Sequence, residues 1–437
     1  MPPVLRHSIV AAVLVLAAWS PVAGATDRAP ARRATLAPDV ASALTALRRE
    51  GAIGRGIPRL LARTADATSP NDTGLGSRAA SARGGWAQAQ WDLTAPFGVN
   101  APDAWSLARA TGRPPGAGVT VAVLDTGLAY SNRGPFRRSP DIASSSVVAG
   151  HDFVDSDNYP NDRNGHGTFV TSTIAAAADN GYGMVGIAYG ARVMPVRVLD
   201  GDGYGTAARV ARGMRWAVDH GADVLNVSIE LFDPLAEAAE SMTTSPAIRD
   251  AVRYAAAHRV AVVAAAGNSA SSDVPSTRLG GDIIYVGAST EHGCVASYSN
   301  FGHGTDLVAP GGGSDAALSG LANCRPADPQ GRNVLQVTFK RPQLDRFAVQ
   351  PDGQGRPGRA GTSMAAPHVS ATVALVIASR VLGAHPTPLA IQRRLERTTR
   401  SLGGPGSTRY VGAGLLDAAA ALRGTRSPEP AAPSSSG

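Results

Sequence analysis

The chain contains few cysteines and no long apolar stretch, and each shortage excludes a class of protein. Cys294 and Cys324 are the only cysteines among 437 residues. Neither lies in a recognisable catalytic motif, and two isolated thiols are too few to hold a structural metal. The apolar run at residues 8–19 is too short to cross about 30 Å of hydrocarbon as a helix, and no later segment is apolar enough. We therefore expect no stable membrane anchor.

The first 25 residues have the three parts of a signal peptide. Arg6 provides a basic start, residues 8–19 are apolar, and the small residues at 23–25 form a cleavage site. We therefore expect the protein to be secreted, either out of the cell or into the periplasm. In an exported chain, Cys294 and Cys324 are expected to form a disulfide, which would stabilise the fold by roughly 3–4 kcal/mol.

The basic charge of the chain is concentrated at its N-terminus. Residues 1–85 hold 11 arginines and 5 acidic residues, so they carry +6 of the net charge of +7. If this part is removed, the remaining 30 basic and 29 acidic residues nearly cancel. Because a nucleic-acid-binding domain needs a basic face, we expect no nucleic-acid partner.

Three segments contain the residue types of a serine hydrolase. An apolar stretch at 119–124 leads into Asp125, and His166 lies between two glycines at the start of an alanine-rich stretch. Ser363 lies in GTSMAAPH, residues 361–368, just before another apolar stretch. A serine alone in such a place is more typical of a helix N-cap. A hydroxyl becomes a nucleophile when a histidine takes its proton and a carboxylate orients that histidine, so the three together predict a catalytic site.

The order of these residues along the chain distinguishes between known designs. Asp, His, Ser is the order of subtilisin, whereas chymotrypsin has His, Asp, Ser and the α/β-hydrolases have Ser, Asp, His. From about residue 86 to about residue 421, the chain resembles the subtilisin-like serine proteases. Residues 264–269, AAAGNS, resemble the segment that carries the oxyanion-hole asparagine of that family, here Asn268. The resemblance implies an endopeptidase that works through an acyl-enzyme intermediate and needs no cofactor for the chemistry.

The alternatives to this site have weaker support. His368, five residues after Ser363, would lie about 140° around a helix axis and is assigned a packing or capping role. No His-Glu-x-x-His segment supports a zinc protease, and Ser363 lacks the Gly-x-Ser-x-Gly context of esterases and lipases. The other alternative is a catalytically silent subtilisin-like fold used for binding, and the four intact candidate residues argue against it.

Apolar stretches alternate with helical ones along the chain, which is typical of a parallel sheet covered on both faces. Strands are predicted at 119–124, 192–199, 223–227, 260–265, 283–286 and 306–308. Helices are predicted at 166–178, 207–220, 247–257, 363–382 and 389–399. We therefore expect an α/β, three-layer subtilisin-like fold with a mainly parallel β-sheet flanked by helices.

Four segments are expected along the chain. The signal peptide at 1–25 is followed by a propeptide or N-terminal spacer at 26–85, a peptidase domain at 86–425, and a disordered Ser/Pro-rich tail at 426–437. The mature chain is expected to start between residues 81 and 90. By resemblance, the propeptide acts as an intramolecular inhibitor, and the enzyme is expected to be a monomer that acts on polypeptides.

Two segments resemble the strands that hold an extended substrate peptide in this family. They comprise six residues, Gly203, Tyr204, Gly205, Ser228, Ile229 and Glu230. Main-chain hydrogen bonds to such strands favour broad endopeptidase activity, although the same residues are also typical of ordinary loops and strands. Glu230 departs from the family, which usually has glycine there. A carboxylate at the pocket wall would favour basic or small P1 side chains, or would hinder the approach of the substrate backbone.

Two further departures and one open question concern regions around the site. Residues 312–360 form a longer stretch than the simplest relatives have, and we expect a structured insertion pinned by the cysteines, with the only lysine, Lys340, inside it. Phe169 stands where the family commonly has a second histidine, and it should affect packing only. A structural calcium ion stays open with unknown ligands, because the sequence marks only acidic loop residues at Asp155, Asp157 and Asp162.

Overall fold

The structure is a computed structural model in which the chain divides into two units, Met1–Ala67 and Thr68–Gly437. The described residues all belong to the second unit and are 69–74, 84–94, 96–229, 245–272, 282–318, 323–326, 330–403 and 407–424. The predicted signal peptide, the C-terminal tail and most of the predicted propeptide lie outside them. Glu230 also lies outside them.

A seven-stranded sheet forms the centre of the second unit. Its strands are β1 Thr120–Asp125, β2 His151–Asp152, β3 Arg192–Arg197, β4 Val224–Val227, β5 Ala261–Ala265, β6 Ile284–Ser289 and β7 Leu307–Pro310. They lie in the order β2-β3-β1-β4-β5-β6-β7, and every neighbouring pair is parallel. All six predicted strands are present, because fully buried parallel strands are recognisable as continuous apolar runs.

The helices cover both faces of the sheet. They are α1 Trp86–Ala89, α2 Ala101–Arg109, α3 His166–Ala175, α4 Ala207–Asp219, α5 Pro246–Ala257, α6 Thr362–Ser379, α7 Pro388–Arg397, α8 Thr408–Val411 and α9 Ala418–Leu422. Alternate residues of β1 pack into two different cores, Val121 and Val123 on the side of α3 and α6, and Ala122 and Leu124 on the side of α4 and α5. The expected three-layer α/β fold is confirmed.

The strand order reverses around β1, and the candidate site lies at the sheet edge where this reversal occurs. The chain passes from β1 to β2 and β3 on one side, and then crosses to β4 and β5 on the other. The last residue of β1, Asp125, pairs in register with Arg197 at the end of β3. Such a reversal leaves a crevice beyond the carboxyl ends of the strands, where ligands bind in open α/β sheets.

The long stretch at 312–360 contains an antiparallel hairpin, β8 Val337–Lys340 and β9 Gln343–Val349. Val337, Thr338 and Phe339 are buried, whereas most of β9 is exposed. The predicted disulfide is confirmed, since Cys294 and Cys324 are bonded. It ties the start of this stretch to the segment that follows β6. The expected structured insertion is therefore present, as a hairpin that the sequence pattern did not specify.

Candidate active site

Asp125 and His166 meet at the sheet edge where the strand order reverses. The Nδ1 atom of His166 lies 2.8 Å and 2.9 Å from the two carboxylate oxygens of Asp125. Asp125 is fully buried, whereas His166 keeps about a fifth of its side chain exposed. The backbone N–H of Thr126 also donates to Asp125 Oδ1, at 2.7 Å. A carboxylate only accepts, so Nδ1 carries the proton and Nε2 is free to accept one.

Glycine is required directly before His166. Gly165 caps helix α3 with a φ of 97°, a left-handed conformation that other residues adopt at a cost. A Cβ atom there would lie 2.3 Å from the carbonyl oxygen of Phe339 on hairpin β8–β9. The hydroxyl of Thr338 donates to the Gly165 carbonyl at 2.6 Å. The insertion therefore contacts the turn that presents His166.

Asp162 holds the two sides of the site together. Its Oδ1 accepts from the Thr126 hydroxyl at 2.8 Å and from the backbone N–H groups of Asn164 and Gly165. Its Oδ2 accepts from the N–H and the hydroxyl of Thr168. These five bonds join the turn after Asp125 to the first turn of α3. The sequence marked Asp162 only as an acidic loop residue, and its complete burial shows a structural role that was missed.

Ser363 lies in the first turn of α6, after Gly361 and Thr362, and it is half-buried. Helices α3 and α6 pack against each other beneath the sheet edge. Within the described part of the chain, no hydrogen bond joins Ser363 Oγ to His166 Nε2. Catalytic hydrogen bonds of unliganded enzymes are often long and tighten only when substrate binds.

Asn268 follows strand β5 and contacts the residue before Ser363. Its side-chain oxygen accepts from the backbone N–H of Thr362 at 2.8 Å and from the Thr362 hydroxyl at 3.0 Å. The Thr362 hydroxyl also accepts from Gly267 N–H at 3.2 Å. Because the oxygen of the amide is used on Thr362, the orientation of the amide is fixed, with its Nδ2 as the donor end.

The candidate substrate-binding residues follow β3 and β4 at the same edge of the sheet. Tyr204 is 74% exposed between Gly203 and Gly205, whereas Ser228 and Ile229 are buried. Asn164, two residues before His166, donates to the carbonyl of Gly201. Arg341, in the turn of hairpin β8–β9, also donates to that carbonyl and to Asp202. The insertion therefore borders the loop that contains Tyr204.

Arg359 brings a second basic group of the insertion close to Asp125. Its guanidinium carbon lies 5.8 Å from the ring centre of Phe169. Phe169 is the residue that stands where the family commonly has a histidine. Burial lowers the pKa of Arg359, while the negative charges of Asp162 and Asp125 oppose that change. Phe169 itself is buried in the core, in agreement with a packing role.

A family model described as the subtilase family matches residues 116–414, which is more than half of the chain. The chain belongs to the subtilase family. All four candidate residues, Asp125, His166, Asn268 and Ser363, lie within the matched range.

Individual relatives are also serine proteinases by name. The chain is 33% identical over 308 residues to Subtilisin BL of Lederbergia lenta, a match that covers 70% of this chain and 92% of that protein. It is 31% identical over 304 residues to the Thermophilic serine proteinase of Bacillus sp. strain AK1, covering 70% of this chain but only 61% of that longer protein.

Solved structures agree with these sequence matches. A protease from Pseudoalteromonas arctica has a TM-score of 0.58 and 28% identity, over 81% of this chain and 99% of that one. A cold adapted subtilisin-like serine proteinase has a TM-score of 0.51 and 26% identity, and the match covers 70% of this chain and 90% of that one. The similarities identify this subtilase as a serine-type endopeptidase, a hydrolase.

The histidine that follows Ser363 on helix α6, His368, lies away from Asp125 and His166 in the subtilase. His368 is fully buried, with Nε2 at 3.0 Å from Asp92 and Nδ1 at 2.8 Å from the Met364 carbonyl. Both partners are hydrogen-bond acceptors, so the pair needs a proton on each ring nitrogen or on the Asp92 carboxyl. The pair connects α6 to the segment that follows α1, which agrees with the assigned packing role.

No group of three or more His, Cys, Asp and Glu side chains able to hold a metal occurs among the residues that the structure describes. Asp72 and Asp141 are two buried carboxylates, and Asn180 donates a hydrogen bond to each, through its backbone N–H to Asp72 and its side-chain Nδ2 to Asp141. Burial raises the pKa of Asp72 to about 6 and that of Asp141 to about 7.

The expectation that no segment after the signal peptide is apolar enough to span a membrane is wrong. Helix α6, Thr362–Ser379, is long and apolar enough to cross a membrane, although no segment after the signal peptide was expected to be. Most of its residues are buried in the core of the subtilase. A central helix covered by protein on all sides needs the same apolar residues as a helix in lipid.

Proposed function

We propose that Asp125, His166 and Ser363 form the catalytic triad of this subtilase and that Asn268 contributes to its oxyanion hole. The observation that carries the proposal is the pair of short contacts between His166 Nδ1 and the Asp125 carboxylate, at the carboxyl edge of the sheet. Ser363, at the start of α6, and Asn268, bonded to the neighbouring Thr362, supply the other two groups.

The chemistry follows from the proton positions. His166 Nε2 takes the proton of Ser363 Oγ as the oxygen bonds to the scissile carbonyl carbon. The resulting imidazolium donates that proton to the leaving amine, the C–N bond breaks, and an acyl-enzyme remains on Ser363. Water then adds to the acyl carbon as His166 takes its proton. The bond between that carbon and Ser363 Oγ breaks, His166 returns the proton to the serine oxygen, and the acid product leaves. Asp125 keeps the imidazole in the required tautomer and stabilises its charge.

The oxyanion of each tetrahedral intermediate needs fixed donors. The side-chain Nδ2 of Asn268 and the backbone N–H of Ser363 are the proposed donors, and both lie at the N-terminal end of α6. The partial positive charge of a helix N-terminus adds to their effect. The bonds from Thr362 to the Asn268 oxygen hold the amide in one orientation before substrate binds, which is the preorganisation that makes such donors effective.

The substrate is proposed to be an extended polypeptide held between Gly203, Tyr204 and Gly205 on one side and Ser228, Ile229 and Glu230 on the other. The exposure of Tyr204 supports its contact with a substrate side chain. Replacing Glu230 with glycine is expected to change the P1 preference, because it removes a carboxylate from the proposed pocket wall. Unchanged cleavage of a peptide series varied only at P1 would contradict that role.

Secretion, self-inhibition and a monomeric state are further parts of the proposal. The N-terminal sequence supports export after removal of residues 1–25, and the basic segment that follows supports a propeptide that blocks the enzyme until it is removed. No cofactor is proposed for the chemistry.

The test uses the full precursor with Ser363→Ala and, as a matched control, Ser401→Ala, an exposed serine outside the site. Wild type and Ser401→Ala should hydrolyse casein, and a serine-directed inhibitor should stop both. Ser363→Ala should fold but be inactive. If all three proteins fold and none hydrolyses casein or short peptides, the catalytically silent alternative becomes the better description.

A further inference from the structure

Residues 69–74, here called the N-terminal strap, are attached to the loop at residues 179–183. The carboxylate of Asp72 is fully buried and accepts from the backbone N–H groups of Asp179 at 2.9 Å and Asn180 at 3.3 Å. In return, the N–H of Asn71 donates to the Asp179 side chain at 3.1 Å. The N–H of Gly74 donates to the Gly183 carbonyl at 2.7 Å. Hydrogen bonds therefore join the strap to the loop from residue 179 to residue 183.

The strap also bonds to the hydrophobic core through Trp86. The indole N–H of Trp86 donates to the Pro70 carbonyl at 2.9 Å, and its backbone N–H donates to the Asp72 carbonyl at 3.4 Å. Trp86 is almost completely buried and meets Trp105 edge to face at 5.2 Å. Removal of the strap would leave the indole N–H of a core tryptophan without its acceptor, which is costly for a buried donor.

Close backbone packing fixes the strap at its C-terminal end. Gly74 has a φ of 81°, and a Cβ atom at that position would lie 2.6 Å from the carbonyl carbon of Gly85. Gly84 also has a left-handed φ of 83°, but the nearest atom to a Cβ there is 3.9 Å away. The two glycines therefore have the same backbone requirement, and only Gly74 lies in a tight contact.

We propose that the N-terminal strap is part of the mature enzyme and that maturation cleaves the chain on the N-terminal side of Ser69. The step is hydrolysis of one peptide bond, in which water adds to give a carboxylate on the released piece and an amine on the mature chain. Cleavage between 81 and 90, which the sequence predicts, would detach six residues that are bonded into the fold.

The proposal rests on the proposed function only in assuming that a propeptide is removed. It can therefore be tested without the activity of the enzyme itself. The folded Ser363→Ala precursor is treated with trypsin, which can cut after Arg63 before the strap and after Arg78 and Arg83 behind it. The resistant core is isolated by gel filtration and its peptides are mapped by mass spectrometry. In parallel, the N-terminus of self-matured wild type is sequenced.

The expected core contains residues 69–74, either as one chain that starts before Ser69 or as a bound peptide after a cut at Arg78 or Arg83. The N-terminus of self-matured wild type should also lie at or before Ser69. A second N-terminus between 75 and 83 would agree with this as long as the strap stays bound. A compact core that starts after Gly74, lacks the strap and melts at the temperature of the precursor would overturn the proposal.

Matched glycine variants test whether the strap stabilises the fold. In the Ser363→Ala background, Gly74→Ala should unfold about tenfold faster than Gly84→Ala at one denaturing temperature, because both variants carry the same backbone strain and only Gly74→Ala adds an overlap with Gly85. Gly74→Ala that yields no folded protein, beside a folded Gly84→Ala, would give the same answer. Equal unfolding rates for the two variants would show that the strap contributes nothing and would contradict the proposal.

Discussion

Replacement of Asp162 with asparagine tests how the site is assembled. The substitution keeps the shape of the side chain and changes one oxygen to an NH2 group. In the better orientation, the remaining oxygen still accepts from the Thr126 hydroxyl and from the N–H groups of Asn164 and Gly165. The NH2 group then faces two former donors of Thr168. The hydroxyl can rotate to accept from the NH2 group, but the backbone N–H loses its acceptor. The opposite orientation would leave more donors unpaired.

The magnitude follows from that one unpaired donor. A buried N–H without an acceptor costs about 1–3 kcal/mol, because its interaction with water is lost and nothing replaces it. For a domain of this size, the melting temperature should fall by roughly 1–4 °C. The Thr168 N–H belongs to the first turn of α3, which carries His166, so the ring should move relative to Asp125. A misplacement of about 1 Å costs up to about a hundredfold in rate, so we expect kcat to fall roughly 10- to 100-fold.

The assay measures kcat and KM on a short peptide, and the melting temperature in the Ser363→Ala background to prevent self-digestion. The matched control is Asp157→Asn, which makes the same charge change at an exposed position in the same loop. We expect KM to change little in Asp162→Asn and both readouts to stay near wild type in the control. Wild-type kcat and melting temperature in Asp162→Asn would refute the reasoning. Equal losses in both variants would point to charge rather than to hydrogen bonding.

Three further predictions concern the oxyanion hole, the disulfide and a buried carboxylate. Asn268→Ala should lower kcat by about 10²- to 10³-fold with little change in KM, because a donor to the oxyanion is lost. Steady-state kinetics that give the variant the kcat of the wild type would contradict this prediction. Replacing Cys294 and Cys324 together with alanine should lower the free energy of unfolding by roughly 3–4 kcal/mol, since the bond closes a loop of 30 residues, and denaturant titration measures this. Asp306→Asn should raise the melting temperature at pH 8 but not at pH 4. Burial raises the pKa of Asp306 to about 7, so its contribution to stability is complete below pH 3.8 and is lost as the pH rises to about 7. The asparagine can still accept from the Tyr285 N–H and can donate to the unpaired oxygen of Gln392, so a melting-temperature difference that does not vary with pH would disprove this account.

The sequence predicted the strands and the long helices because burial leaves a pattern in each. The six predicted strands differ from those of the sheet by at most three residues at either end. Runs such as 260–265 are recognisable because a parallel strand that is buried on both faces is apolar throughout. The short helix α2 and the hairpin β8–β9 were not predicted. Strand β9 is mostly exposed, so its residues alternate without an apolar face, and its pairing with β8 depends on contacts that a sequence pattern does not show.

The site was predictable only where the chemistry dictates residue types. Asp125, His166, Asn268 and Ser363 stand in recognisable contexts, and the structure brings Asp125 and His166 into direct contact. Asp162 could not be distinguished from its neighbour Asp157, because both are loop aspartates. Only the fold shows that Asp162 is buried among backbone N–H groups and Asp157 is exposed. The place of Asp72 was missed for the same reason, since a buried carboxylate that binds a distant loop has no local signature.

The most direct test of the central claim is to identify the residue that a serine-directed inhibitor modifies. Active enzyme is treated with a phosphonylating or sulfonylating inhibitor, and its peptides are mapped by mass spectrometry. The account predicts one adduct, on Ser363, formed in proportion to the loss of activity. It also predicts that the adduct forms far more slowly in a folded His166→Ala variant, because the hydroxyl then lacks its base. Full inhibition with the adduct on another serine, or modification of Ser363 that leaves hydrolysis intact, would contradict the assignment of the nucleophile.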